Sequence, residues 1–192
     1  GDGDDMLVLG VGATDNSYAS GGAGDDILIA YALALANAYA AVNLQGDSGS
    51  DTYRVDDSGN VGLSDAVDTG SSSDFNVLEL AAGITPNDVS VSSDGYSVFL
   101  TFANGNRVYL SNQVTAYQAS DSPYQYGVQE VRFEDGTVWE RQELNELAGY
   151  HIGTDAADDE INTADGTQHL YGHAGNDTLV AGAGDDWLYG GA

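Results

Sequence analysis

The chain has 192 residues, with 31 acidic side chains against four basic ones, a formal charge of −27 and no cysteine. That sign argues against nucleic acid and anionic membranes as direct partners, and the missing cysteines exclude disulfides and thiolate metal sites as staples. The longest apolar stretch, residues 27–42, is shorter than a bilayer requires and is interrupted by Asn37, so no membrane span is expected.

Residues 1–55 carry a nine-residue beat, stated most fully by Gly21-Gly22-Ala23-Gly24-Asp25-Asp26-Ile27-Leu28-Ile29. The glycine-rich part suits a tight turn whose backbone takes φ > 0 or comes close to an ion. The last three residues suit a short strand with its middle side chain inward, and such units must stack because one alone cannot bury its apolar face. Asp5, Asp26 and Asp51 share one phase, with Leu7, Leu28 and Tyr53 as inward plugs two residues later. Their separations of 21 and 25 are two repeats of nine plus three and seven extra residues. If the extras loop out of the opposite edge, the three aspartates form one column. That edge would hold a degenerate repeat at 10–17, with Thr14 in the Asp position, and the insertion at 30–43. Within the insertion, the alanines of residues 31–39 favour helix, whereas their alternation with larger residues favours strand. The segment either packs on the side of the stack or leaves an adhesive apolar patch.

Residues 56–75 are rich in Asp, Ser and Gly and read as a connection. From 76 to 148 the pattern becomes hairpins, with strands expected at 77–80, 88–91, 96–102, 107–110, 128–133 and 137–139. Asn104-Gly105 fits a type I′ turn. Thr137 with Glu140 fits a capping box for a helix reaching Ala148 and closed by Gly149. The segment is expected to be a mostly antiparallel module. From 149 to 192 the nine-residue beat returns, with Ile161, Leu170, Leu179 and Leu188 as plugs.

The acidity itself, 24 Asp against 7 Glu, fits either a halophile's solvated surface or ion-binding turns. Its preference for one repeat position favours the turns, since calcium takes six to eight oxygens from carboxylates, carbonyls and water. Three motifs suggest other chemistry. Gly46-Asp47-Ser48-Gly49 matches the nucleophile phrase of chymotrypsin-like proteases but lies inside a repeat. His169 and His173 have zinc-ligand spacing but lack the glutamate of H-E-x-x-H and fall on a strand and turn. Trp139 and Trp187 are core or edge packing, or a carbohydrate platform. No active site is expected.

The nonapeptide identifies both end blocks as resembling the RTX, or haemolysin-type, calcium-binding repeat, which implies parallel β-rolls. Residues 76–148 resemble the haemolysin-type calcium-binding protein related domain. That resemblance rests on Val77-Leu78-Glu79-Leu80, Gly83-Ile84-Thr85-Pro86-Asn87-Asp88-Val89, Asn104-Gly105-Asn106-Arg107-Val108 and the run from Val131 to Trp139. The expected fold is all-β: parallel β-roll blocks at 1–55 and 149–192, a connecting segment at 56–75, and between them a mostly antiparallel β module at 76–148 with one short C-terminal helix.

The family resemblance implies that each ion lies between stacked turns two repeats apart, held by carbonyls at positions two and four and the Asp of one turn, and carbonyls at one and three and the Asp of the other. In the first block this places Gly1, Gly3 and Asp5 against Gly21, Ala23 and Asp26, and Gly22, Gly24 and Asp26 against Gly46, Ser48 and Asp51. In the last block it places Asp155, Ala157 and Asp159 against Gly172, Ala174 and Asp177. On the other edge Ala164, Gly166 and Gln168 face Ala181, Ala183 and Asp186, and Gln168 departs from the pattern, which should leave that site weaker or empty. Filling four such sites would lower the charge from −27 by about eight, to about −19.

The chain opens at position two of a repeat and closes at position three of another, so it reads as an excerpt of a longer polypeptide. The expected function is a calcium-binding module that stays unfolded inside the cell and folds on calcium after type I secretion of its parent. That implies a secreted or cell-surface location, with several Ca2+ ions, the parent chain and the secretion machinery as partners. The alternatives are an adhesin or surface-layer segment binding through exposed aromatics, and the tail of a secreted lipase or protease.

Overall fold

The structure, a computed structural model, describes residues 1–14, 16–33, 41–64, 74–114, 127–155 and 158–192. It comprises two compact units, Gly1–Arg141 and Gln142–Ala192. The first contains β1 (Met6–Leu9), β2 (Tyr18–Ala23), β3 (Ile27–Ala30), β4 (Ala41–Ser48), β5 (Thr52–Val55), β6 (Asn60–Ser64), β7 (Val77–Leu80), β8 (Val89–Ser93), β9 (Val98–Phe102), β10 (Arg107–Leu110), β11 (Glu130–Arg132) and β12 (Val138–Glu140). A short helix α1 (Arg141–Leu147) follows. The second unit adds β13 (Tyr150–Ile152), β14 (Glu160–Asn162), β15 (His169–Tyr171), β16 (Thr178–Val180) and β17 (Trp187–Tyr189).

The first unit is built on two six-stranded sheets, ordered β1-β3-β5-β7-β11-β12 and β2-β4-β6-β10-β9-β8. Leu7 pairs with Leu28, Leu28 with Tyr53 and Tyr53 with Leu78, all in parallel register, so the offsets of 21 and 25 residues do bring the plugs into one column. Inward positions alternate with outward ones: Leu28 and Ala30 are buried on β3, Tyr53 and Val55 on β5, and Val42 and Leu44 on β4. Each such Val or Leu side chain contributes about 1.5–3 kcal/mol by leaving water.

The all-β roll architecture expected from the sequence is present, with differences in how its pieces join. The parallel stack does not stop at residue 55. β7 pairs parallel with β5, β11 parallel with β7, and β10 parallel with β6, so the segment expected to be antiparallel continues both sheets of the roll. Antiparallel pairing is confined to β8-β9-β10 and β11-β12. The expected connection likewise contributes β6, paired with β4, because Val61 and Leu63 are plugs buried within the core; residues 65–73 lie outside the described part.

Local chemistry accounts for two further corrections. At 103–105 only Gly105 has positive φ, at 89°; Phe102 N–H donates to Asn106 O at 2.9 Å and Gly105 N–H to Phe102 O at 2.9 Å. Ala103-Asn104-Gly105 is therefore a three-residue loop ending in a left-handed glycine, rather than a type I′ turn. Thr137 caps no helix: its carbonyl accepts from Phe133 N–H at 2.9 Å in the β11-β12 hairpin, and Glu140 belongs to β12. The helix begins at Arg141, and Gly149, at φ 85°, ends it by donating to Glu146 O at 3.0 Å. Of the alanine-rich segment, Leu33 is buried and Ala32 N–H donates to Asp56 Oδ2 at 2.8 Å; residues 34–40 lie outside the described part.

The second unit is a roll of shorter coils, with sheets β13-β15-β17 and β14-β16 in parallel register at an offset of 18 or 19 residues. Leu170 is its fully buried plug. No helix among the described residues is long and apolar enough to cross a membrane.

Candidate metal centres

The residue preceding each strand of β1, β3 and β5 is an aspartate, and the three stand one above another. Asp5 N–H donates to Asp26 Oδ1 at 2.8 Å, and Asp26 N–H to Asp51 Oδ1 at 2.9 Å. Asp26 and Asp51 thus each spend one carboxylate oxygen on the neighbouring coil's backbone. The other oxygen of Asp26 and of Asp51 is buried without a hydrogen-bond partner, as is Asp177 Oδ2 in the second unit. A buried anionic oxygen with no partner is costly unless a cation or proton meets it. Asp51, fully buried, responds accordingly: desolvation, with the nearby charges of Asp26, Asp25 and Asp74 adding to it, raises its pKa to about 7 against the lowering effect of the Asp26 backbone hydrogen bond.

Glycines make room around these oxygens. A methyl group on Gly21 would overlap Asp26 Oδ2 and lie 2.8 Å from Gly46 O. One on Gly172 would lie 2.5 Å from Asp177 Oδ2 and 2.7 Å from Gly190 O. One on Gly153 would lie 2.8 Å from both Asp159 Oδ2 and Gly172 O. Carboxylate and carbonyl oxygens, the orphaned ones of Asp26 and Asp177 among them, thus share spaces that a Cβ would fill, and this oxygen-only donor set fits a hard cation such as calcium. Among the described residues no three carboxylate or imidazole side chains converge, so the sites depend on carbonyls beside the aspartates.

The structure brings together most of the residues singled out by the repeat phase. In the first pair of turns the Gly1 nitrogen donates to Gly21 O at 2.6 Å, Ala23 N–H to Gly1 O at 3.0 Å and Gly3 N–H to Ala23 O at 2.5 Å. In the second, Gly24 N–H donates to Ser48 O at 2.9 Å, and Gly22 stands opposite Asp47 in the β2-β4 ladder. These carbonyls each accept one backbone bond and keep a second lone pair. Ser48 lies in β4 and Asp47 accepts from Ser20 Oγ at 2.5 Å, so the Gly46–Gly49 phrase forms strand and turn.

In the second unit Asp159 N–H donates to Asp177 Oδ1 at 3.0 Å, matching the first unit's ladder. Asp159 Oδ2 also accepts from Thr154 N–H at 2.6 Å. The side chain of Asp155, a residue expected to lend its carbonyl, meets His173 Nδ1 at 3.1 Å; Ala174 is half-buried, and Ala157 lies outside the described residues. On the other edge Gly166 N–H donates to Ala183 O at 2.8 Å and Gln168 N–H to Asp186 Oδ1 at 3.0 Å, while Ala164 and Ala181 occupy the flanking turn positions. Gln168 Oε1 is already engaged with His151 Nε2 at 2.9 Å, a contact that draws it away from any ion.

Sequence reasoning missed a second, outer ladder running the opposite way. Asp25 N–H donates to Asp4 Oδ1 at 3.0 Å, Ser50 N–H to Asp25 Oδ1 at 2.8 Å and Asn176 N–H to Asp158 Oδ1 at 3.0 Å. The doubled aspartates at 4–5, 25–26 and 158–159 were its signal. It also missed the ring columns of the second unit. Tyr150, His169 and Trp187 stack at centroid distances of 4.5 and 4.6 Å, and Tyr171 stacks on Tyr189 at 4.9 Å. Burial in that stack lowers the His169 pKa, outweighing the opposite pull of Asp186, and so favours the neutral imidazole. His169 and His173 are thus engaged with different partners.

The family model for the RTX calcium-binding nonapeptide repeat, four copies, matches residues 162–192. No curated protein matches the chain. Among solved structures, the extracellular lipase LipA from Serratia marcescens is similar over 85% of this chain at 17% identity and a TM-score of 0.24. The chain spans 28% of that lipase's length. With the match falling on β15, β16, β17 and the turns bearing Gln168, Asp177 and Asp186, the chain carries the RTX calcium-binding nonapeptide repeat.

Proposed function

We propose that this chain is a calcium-responsive module of a larger exported polypeptide, ordered by calcium once outside the cell, with a working activity that resides elsewhere in the parent. The observation that carries the proposal is the set of buried, partnerless carboxylate oxygens of Asp26, Asp51 and Asp177, those of Asp26 and Asp177 beside glycine carbonyls. Bound calcium would supply the positive charge those oxygens need. Asp5, Asp26, Asp51, Asp159 and Asp177 would hold the ions; Asp186 would hold one less well. Extracellular modules of this ligand type bind at about 10⁻⁴–10⁻³ M, above cytosolic and below external calcium, so the same chain can be open before export and closed after it. Type I secretion fits this logic.

The test is a calcium titration of the chain followed by circular dichroism, with magnesium as control. A β transition near millimolar calcium, absent with magnesium, is expected; a chain fully folded in chelator would defeat the proposal. A second reading, an adhesive or surface-layer segment, draws support from Trp187 and Tyr189, which are 45% and 37% exposed on the same face of β17.

A further inference from the structure

The column of the first unit does not end in aspartate. Along β1-β3-β5-β7-β11 the residues preceding the strands are Asp5, Asp26, Asp51, Asn76 and Gln129. Each of the first four donates its backbone N–H to the side-chain oxygen of the next, at 2.8, 2.9, 2.7 and 2.5 Å. The geometry is continuous, but the chemistry changes midway. Orphaned buried oxygens fall on Asp26 and Asp51 and on neither amide.

Around the amides, neutral or internally paired groups close the remaining bonds. Asn76 Nδ2 donates to Gly127 O at 3.4 Å. Gln113 grips Val128 from both sides, accepting its N–H at 2.9 Å and donating to its carbonyl at 2.7 Å, and Arg141 donates to Gln113 O at 2.8 Å. Apolar burial falls off only at the outer strand: the inward plugs Leu28, Tyr53, Leu78 and Val131 are fully buried, whereas Leu7 on β1 is half-buried.

Bringing Asp26 against Asp51 places two like charges in a water-poor turn, which opposes stacking when no cation is present. Bringing Asn76 beneath Asp51 makes the same backbone bond through a neutral amide, leaving Asp74 as the smaller like charge on that side. Stacked coils gain stability mainly from their nearest neighbours, so a coil with less such repulsion can stand while its neighbour does not.

We infer that this ladder divides the roll into a calcium-independent template, β7 with β9, β10 and β11, and a calcium-dependent arm, β1 and β3, laid onto it through β5. Asn76 and Gln129 are the positioning residues that free the template from calcium. The inference rests on the calcium-binding reading above and adds a direction: ordering proceeds from β5 toward β1. Gln168 repeats the substitution in the second unit, at the turn where its oxygen is held by His151.

Hydrogen exchange of the full chain, read strand by strand in chelator and in calcium, tests it. In chelator the N–H groups of β7, β9, β10 and β11 are expected to exchange at least about tenfold more slowly than those of β1 and β3, and calcium should remove most of the difference. Asn76→Asp should lose the β7 protection in chelator and regain it in calcium, because the added charge needs an ion. Asn76→Ala should lose protection in both conditions, because no oxygen remains for Asp51 N–H. Uniform exchange of β1 through β11 in chelator overturns the inference, as does an Asn76→Asp chain protected like the wild type, or an Asn76→Ala chain rescued by calcium. A calorimetric calcium titration of the wild type separates the two failures. No binding removes the functional reading itself, whereas binding with uniform exchange removes the template alone.

Discussion

Asp51 carries the clearest consequence at the scale of single residues. Its folded pKa, about 7, lies above the ordinary value of 3.8. Without calcium the folded state therefore binds a proton that the unfolded chain has already lost between those values, so the calcium-free roll loses stability as pH rises from about 4 to 7. The sign is opposite to that of a salt-bridged aspartate. Chemical denaturation in chelator is expected to show a higher midpoint at pH 5 than at pH 7.5, and in calcium the dependence should shrink, since a bound cation favours the ionised form. Asp26 stands between two coils, Asp186 beside an amide, and this inequality predicts their mutants. Asp26→Ala should weaken calcium binding by about 10–100-fold and Asp186→Ala by distinctly less, measured calorimetrically. Equal losses would show that the stacking phase is wrong. The aspartate column was legible because its spacing of 21 and 25 residues is visible in the chain; Asn76 continues the spacing of 25, but Gln129, 53 residues further, has no local signal.

Turns and strands fail or succeed as units. Gly172 has an ordinary φ, so its role is spatial: the missing methyl leaves room for Asp177 Oδ2 and Gly190 O. Gly172→Ala is expected to destabilise the calcium-loaded chain by about 1–3 kcal/mol in urea unfolding and to lower calcium affinity at the same time. A loss of stability with unchanged affinity would remove Gly172 from the site. Strands 77–80 and 107–110 were legible residue for residue, because alternation and flanking turns are local properties. Their partners were not. The sequence pattern suggested neighbouring hairpins, whereas β7 pairs only in parallel, with β5 and β11, and β10 pairs in parallel with β6 as well as antiparallel with β9, so that their plugs join those of earlier coils. The helix start moved for a related reason: Thr137 looked like a cap until the hairpin claimed its backbone.

Across the whole molecule, each unit holds one of the two tryptophans. Trp139 is buried in the first unit, edge-on to Phe133 at 4.6 Å, and Trp187 is half-exposed in the second, stacked on His169. Single-tryptophan chains made by Trp139→Phe or Trp187→Phe should therefore report the units separately. Chelation is expected to change the Trp187 emission most, because the short-coil second unit has the smaller core to stand on, and Trp139 least. Identical titration curves from both would mean that the units order as one.

The sequence by itself determined the repeat, its phase and the chemistry of its turns, because glycine, aspartate and an inward aliphatic residue at fixed spacing each answer a local physical need. It also marked Gln168 as a departure. Tertiary structure decided how far the roll extends, which carboxylate oxygens are orphaned and where amides take over from aspartates. Those outcomes depend on side chains 25 or 53 residues apart meeting across neighbouring coils, and only the folded stack brings them within hydrogen-bond distance.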